Sequence, residues 1–164
     1  LYDVEPDIMT LAKGLGGGLP IGAIMAKDKF SVFTAGEHGS TFGGNLVTCA
    51  AAYATVKYVI DNEIPRHAHE MGRYLTEKLI QLKGKHPSLI SGVRGKGLLL
   101  AVQLNGEIAA NLARKCLENG LLVNSVKPDA LRLMPALNIS RQEIDEAVEK
   151  LNTAFVRLGS AEQG

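Results

Sequence analysis

Lys13 stands at the end of an apolar run, Ile8 to Ala12, and is followed at once by Gly14-Leu15-Gly16-Gly17-Gly18. A primary amine there, with no acid in the loop and little side-chain bulk around it, leaves room for a bulky cofactor. Once deprotonated, such an amine can attack a carbonyl. The same lysine can also be read as a strand-end residue whose stem lies on apolar surface while its charge reaches water. Two nucleotide motifs fail on spacing. A Walker-type loop carries its lysine after the glycines and before Ser or Thr, whereas Lys13 precedes them, and a dinucleotide fingerprint begun at Gly14 and Gly16 needs glycine where Leu19 stands.

A second cluster, Gly39-Ser40-Thr41-Phe42-Gly43-Gly44-Asn45, sets two hydroxyls beside a glycine-rich helix start. Backbone N–H groups and the helix dipole favour an anion such as phosphate at that place. These residue types are equally those of an N-cap and turn. Arg132 lies between Leu131 and Leu133 in an expected strand, so its side chain projects opposite theirs. A guanidinium so placed can grip a carboxylate with two parallel hydrogen bonds, or be an exposed edge-strand arginine. Arg94 reads as structural, and His38, His67, His69 and His86 have no spacing that implies a metal or a triad.

The elements that must position these residues follow from periodicity. Ile8 to Ala12 and Ile21 to Ala26 read as strands around the glycine loop. Leu46, Ala50, Tyr53, Val56 and Ile60 recur at helical spacing up to Asp61-Asn62, and Met71, Leu75, Leu79 and Leu82 mark a second helix running into Gly84 and Pro87. A strand pair, Leu89 to Val93 and Leu98 to Leu104, joins through a turn at Arg94-Gly95-Lys96-Gly97. Ile108, Leu112, Cys116 and Leu117 give a third helix stopped by Asn119-Gly120. Strands follow over Leu121 to Val126 and Ala130 to Leu137. The last helix opens on the capping box Ser140-Arg141-Gln142-Glu143 and continues through Ile144, Val148, Leu151 and Phe155. This is an α/β pattern with a domain boundary at Asn62 to Pro65. The first segment, one hairpin and one helix, is too small to bury its own core and should belong to a larger domain.

Composition narrows the function classes. Apolar residues make up 46% and charged residues 21%, and 18 basic residues balance 17 acidic ones for a net charge of +1. Nucleic-acid binding needs clustered Lys and Arg, so small molecules and proteins are the expected partners. Cys49 and Cys116 read as small core residues, with no zinc or disulfide pattern. No apolar window is long enough to span a membrane. The opening residues look neither like a signal peptide nor like a natural start, so a fragment is expected.

Three ordered motifs, Pro6 through Ala23, His38 through Asn45 and Arg94-Gly95-Lys96-Gly97-Leu98, resemble the class III aminotransferases of fold type I. The resemblance implies the C-terminal portion of such an enzyme: residues 1–62 the end of the large domain, with the lysine hairpin and a long linking helix, and 63–164 the small C-terminal α/β domain. It implies pyridoxal 5'-phosphate (PLP) as cofactor, an electron sink held on Lys13 as a Schiff base. Thr41 then matches a residue that reaches the cofactor phosphate of the other subunit, Ser40 a neighbour that contacts substrate, and Arg132 the arginine that binds the substrate carboxylate. A cytoplasmic homodimer sharing its sites between subunits is implied.

Within the class, Asn119 to Asn124 and Leu131 to Ile139 are most similar to the branch that moves the terminal amino group of N2-acetylornithine to 2-oxoglutarate, giving glutamate, in arginine biosynthesis. Ornithine is the nearest competing donor. Pro135-Ala136 stands where the family often has Pro-Pro, and Asn45-Leu46 where it has Asn-Pro; neither change touches a proposed functional side chain. The resemblance further implies that the phosphate loop, the ring stacked on the cofactor and the aspartate paired with its ring nitrogen lie upstream of Leu1. This chain alone is therefore expected to transaminate little or not at all, and the alternative reading of the isolated chain is a non-catalytic α/β domain.

Overall fold

The computed structural model describes residues 3–161, and the chain divides into two compact units, Leu1–Glu63 and Ile64–Gly164. In unit 1, strands β1 (Ile8–Leu11) and β2 (Ala23–Ala26) pair antiparallel, from Ile8 opposite Ala26 to Leu11 opposite Ala23. The second strand starts at Ala23, two residues later than expected. Helix α1 (Leu46–Asp61) starts where its cap dictates: Asn45 Oδ1 accepts from the N–H groups of Val47 at 3.1 Å and Thr48 at 3.2 Å. Of its residues only Ala52 is buried. Cys49, expected in a core, is exposed on this helix, because unit 1 has too little apolar mass to cover it.

Unit 2 holds helix α2 (Ile64–Lys85), strands β3 (Ile90–Lys96) and β4 (Leu99–Leu104), helix α3 (Ala109–Glu118), strands β5 (Asn124–Lys127) and β6 (Ala130–Leu133), and helix α4 (Arg141–Ala161). The sheet order is β3-β4-β6-β5, antiparallel throughout. Alternation on β4 sorts the two faces. Leu100, Val102 and Leu104 are buried with Leu131 and Leu133 of β6 beneath the three helices, while Leu99, Ala101 and Gln103 point the other way. Leu79, Leu112, Cys116, Ile144, Leu151 and Phe155 complete the core from the helix side.

Within unit 2, the end of β3, the start of β5 and the end of β6 differ from the periodicity reading, each for a backbone reason. Arg94-Gly95-Lys96 is strand, not turn: these residues pair with Ala101, Leu100 and Leu99. Gly95 makes this possible at φ +131, since any Cβ there would overlap the Leu99 carbonyl. Leu121 is not strand, because its N–H bonds to Cys116 O at 2.9 Å while Gly120 N–H bonds to Leu117 O at 2.9 Å. These two bonds close α3 in a Schellman motif with Gly120 at φ 71. β6 stops at Leu133, ahead of Pro135, whose ring nitrogen cannot donate. The expected capping box at α4 is formed: Glu143 Oε2 accepts from Ser140 N–H at 2.8 Å, and Ser140 Oγ accepts from Glu143 N–H at 3.2 Å.

Candidate active site

Lys13 opens the hairpin turn. The chain leaves β1 through the extended Ala12 and enters a short 3-10 turn, Lys13–Gly16, in which Leu15 N–H bonds to Ala12 O and Gly17 N–H to Gly14 O, both at 3.1 Å. Lys13 itself sits at φ 56. A left-handed backbone costs a side-chain-bearing residue about 1–2 kcal/mol, and such strain persists where surrounding structure and function require it. The loop is fixed by packing: Gly17 lies so close to α1 that a Cβ would come within 2.8 Å of Thr55 Oγ1. Around Lys13 the space is open. Nothing lies within 4 Å of where Gly14 would carry a Cβ, and the Lys13 side chain is exposed and makes no hydrogen bond or ion pair among the described residues.

Ser40 and Thr41 lie in the turn that feeds α1. Gly43 N–H bonds to Ser40 O at 3.1 Å and Asn45 N–H to Phe42 O at 3.2 Å. Because Asn45 already takes the N–H groups of Val47 and Thr48, two of the four free donors of this helix start are occupied by the cap. The backbone here is thus the cap and turn that its residue types favour. The hydroxyls of Ser40 and Thr41 remain exposed and unbonded among the described residues, and no hydrogen bond joins either to Lys13.

Arg132 is in unit 2. It lies on β6 with Leu131 and Leu133 buried to either side, its own side chain on the opposite face and half-buried. Its direct cross-strand neighbours are Ala101 of β4 and Asn124 of β5, neither of them acidic. Its Nε is buried and has no hydrogen-bond partner among the described residues. Arg94 occupies the same row on β3, opposite Ala101, a register hidden as long as Arg94 is taken as a turn residue. Among the described residues there is no cluster of potential metal ligands, and no helix is long and apolar enough to cross a membrane.

Unit 1 thus carries a free amine on a strained turn and two free hydroxyls, donors that suit a carbonyl and an anion, and unit 2 by itself carries a guanidinium whose buried Nε has no acceptor among the described residues. Residues 1–155 match the family model Aminotransferase class-III. This chain belongs to the class-III aminotransferases. The family is PLP-dependent, and the donors just described suit an aldehyde cofactor that carries a phosphate. An acetylornithine aminotransferase of Caldanaerobacter subterraneus is 46% identical over 157 residues, which are 96% of this chain and 40% of that protein. Ornithine aminotransferase 2 of Staphylococcus aureus is 42% identical over 155 residues, 93% of this chain and 38% of that one. The crystal structure of an acetylornithine aminotransferase from Elizabethkingia anophelis superposes with a TM-score of 0.88 at 36% identity, covering 94% of this class-III chain and 40% of that one. The chain therefore spans about 40% of the length of these relatives.

Proposed function

We propose that the protein carrying this chain moves the terminal amino group of N2-acetylornithine to 2-oxoglutarate, as a cytoplasmic homodimer serving arginine biosynthesis. Residues 1–62 are then the end of its large cofactor-binding domain and 63–164 its small domain. The observation that carries the reading is the unpaired Lys13 amine held at φ 56 inside the motif region matched to the class-III family. Several relatives named acetylornithine aminotransferase favour this donor over others. The ornithine aminotransferase at 42% identity supports ornithine as the second reading.

In this account PLP, held by Lys13 and by the Thr41 hydroxyl of the neighbouring subunit, supplies an electron sink when bound. Lys13 Nζ, exposed and with no competing partner among the described residues, is free to bind covalently and then to carry a proton as general base and acid. Arg132 grips the substrate carboxylate through a charge-assisted pair of hydrogen bonds, which sets the far amino group at the reacting end. Ser40 contacts the substrate beside Thr41. Alone, this chain is expected to turn over little or nothing, a reading supported by its spanning only about 40% of the length of such relatives.

Donor choice is tested by measuring glutamate formation from 2-oxoglutarate with the full-length protein and equal concentrations of N2-acetylornithine, ornithine or 4-aminobutyrate. The expected order puts N2-acetylornithine at least about tenfold ahead in kcat/KM, the net size of one ordinary hydrogen bond. Preference for unacetylated ornithine would select the second reading.

A further inference from the structure

Arg132 Nε is a buried side-chain nitrogen with no acceptor among the described residues. A donor shut away from water without a partner costs free energy, so such an atom marks a place where something in the working state must supply one. The terminal nitrogens of a guanidinium take a carboxylate well only when the fork is held in one plane. What holds that plane is the question Nε raises.

Antiparallel pairing gives Arg132 two direct neighbours, Ala101 on β4 and Asn124 on β5. Ala101 has no polar side-chain atom. Gln103, next along β4 on the same face, turns its Oε1 to within 3.5 Å of where a Cβ would stand on Gly92 of β3, away from β6. Asn124 is left. It lies on the edge strand, exposed, with its carboxamide unbonded among the described residues. Directly opposed residues have Cβ atoms about 4.5–5.5 Å apart, within reach of an asparagine oxygen for an arginine Nε. Asparagine is also disfavoured in strands relative to β-branched residues, so the ladder itself gives no reason for it here.

We infer that Asn124 is a positioning residue for Arg132. When a carboxylate is bound, Asn124 Oδ1 accepts the hydrogen bond from Arg132 Nε–H, fixes the guanidinium plane and leaves both terminal nitrogens to the ligand. This rests on the reading of Arg132 as the carboxylate seat.

The test is a double-mutant cycle in the full-length protein loaded with PLP, reading glutarate binding by calorimetry in wild type, Asn124→Ala, Arg132→Lys and the double variant. Lysine has no Nε, so the cycle isolates the proposed bond. Asn124→Ala should weaken glutarate binding about 3- to 10-fold beside Arg132, the size of one hydrogen bond. Beside Arg132→Lys it should change binding less than about twofold. KM for 2-oxoglutarate should rise with the dissociation constant while kcat and the unfolding midpoint hold. Unchanged glutarate binding in Asn124→Ala, or an equal loss in both backgrounds, overturns the inference. Arg132→Lys binding as tightly as wild type would overturn the carboxylate seat itself, and the inference with it.

Discussion

At the scale of single residues, Lys13 adopts a backbone conformation that glycine or asparagine would take at less cost. The strain is intelligible if the amine, and not the loop, is what this position is for. Lys13→Gly in the full-length protein without cofactor should therefore raise stability by about 1 kcal/mol, read as a higher thermal unfolding midpoint. The same change should abolish covalent PLP capture. A lower midpoint would mean that the lysine stem contributes packing that outweighs its backbone strain. Lys13, Ser40, Thr41 and Arg132 are all visible in the sequence as residue types. Their conformations are not: neither the left-handed φ of Lys13 nor the orphaned Nε of Arg132 can be read from spacing, because both depend on how neighbouring backbone is held. Cys116 illustrates a residue whose setting the periodicity does predict, being fully buried with its thiol pushed up to about 11 by burial and so chemically quiet at neutral pH.

At the scale of elements, helices and their caps were legible while strand ends were not. Asn45, the Ser140 to Glu143 box and Asn119-Gly120 announce helix boundaries through side chains that bond locally, and the observed helices begin and end there. Strand limits depend on partners distant in sequence. Gly95 looks like a turn residue until β4 is seen approaching it too closely for any Cβ, and Leu121 looks like strand until its N–H is found closing α3. The close approach of α2 to the β3–β4 turn makes a related prediction. A Cβ on Gly72 would overlap the backbone of Gly97, so Gly72→Ala should destabilise unit 2 by about 1–3 kcal/mol, measured by urea unfolding, despite alanine's better helix propensity.

The α4 cap adds a pH dependence. The Ser140 backbone N–H and then its hydroxyl hold the Glu143 carboxyl below its ordinary 4.5. Lys78 and then Tyr74 hold Asp145 below its ordinary 3.8 by side-chain hydrogen bonds. For a depressed carboxyl the stabilisation is present above the unfolded value and lost as pH falls through the folded one. Urea midpoints should thus hold near neutrality and drop in acid below about 4.5, and Glu143→Gln should flatten the upper part of that drop. A midpoint independent of pH in acid would remove both carboxylates from the account.

At the scale of the molecule the two units differ in self-sufficiency. Unit 2 closes a continuous core around Leu79, Leu131 and Phe155, each fully buried. In unit 1, Phe42, Leu46, Tyr53 and Ile60 are 82%, 85%, 72% and 68% exposed, and α1 buries only Ala52. Apolar surface of that extent is stable in water only against more apolar surface. Residues 64–164 expressed alone should therefore unfold cooperatively by circular dichroism, whereas residues 3–63 alone should show no cooperative transition. A cooperative transition in the short piece would contradict this view of unit 1 as part of something larger.

The most direct test of the central claim is covalent: the full-length protein is incubated with PLP, reduced with borohydride, digested and mapped by mass spectrometry. A single pyridoxyl group on the peptide containing Lys13, lost in Lys13→Arg while that variant stays folded, is the predicted result. Labelling spread over surface lysines, or concentrated on any other lysine while Lys13 stays unmodified, would contradict it.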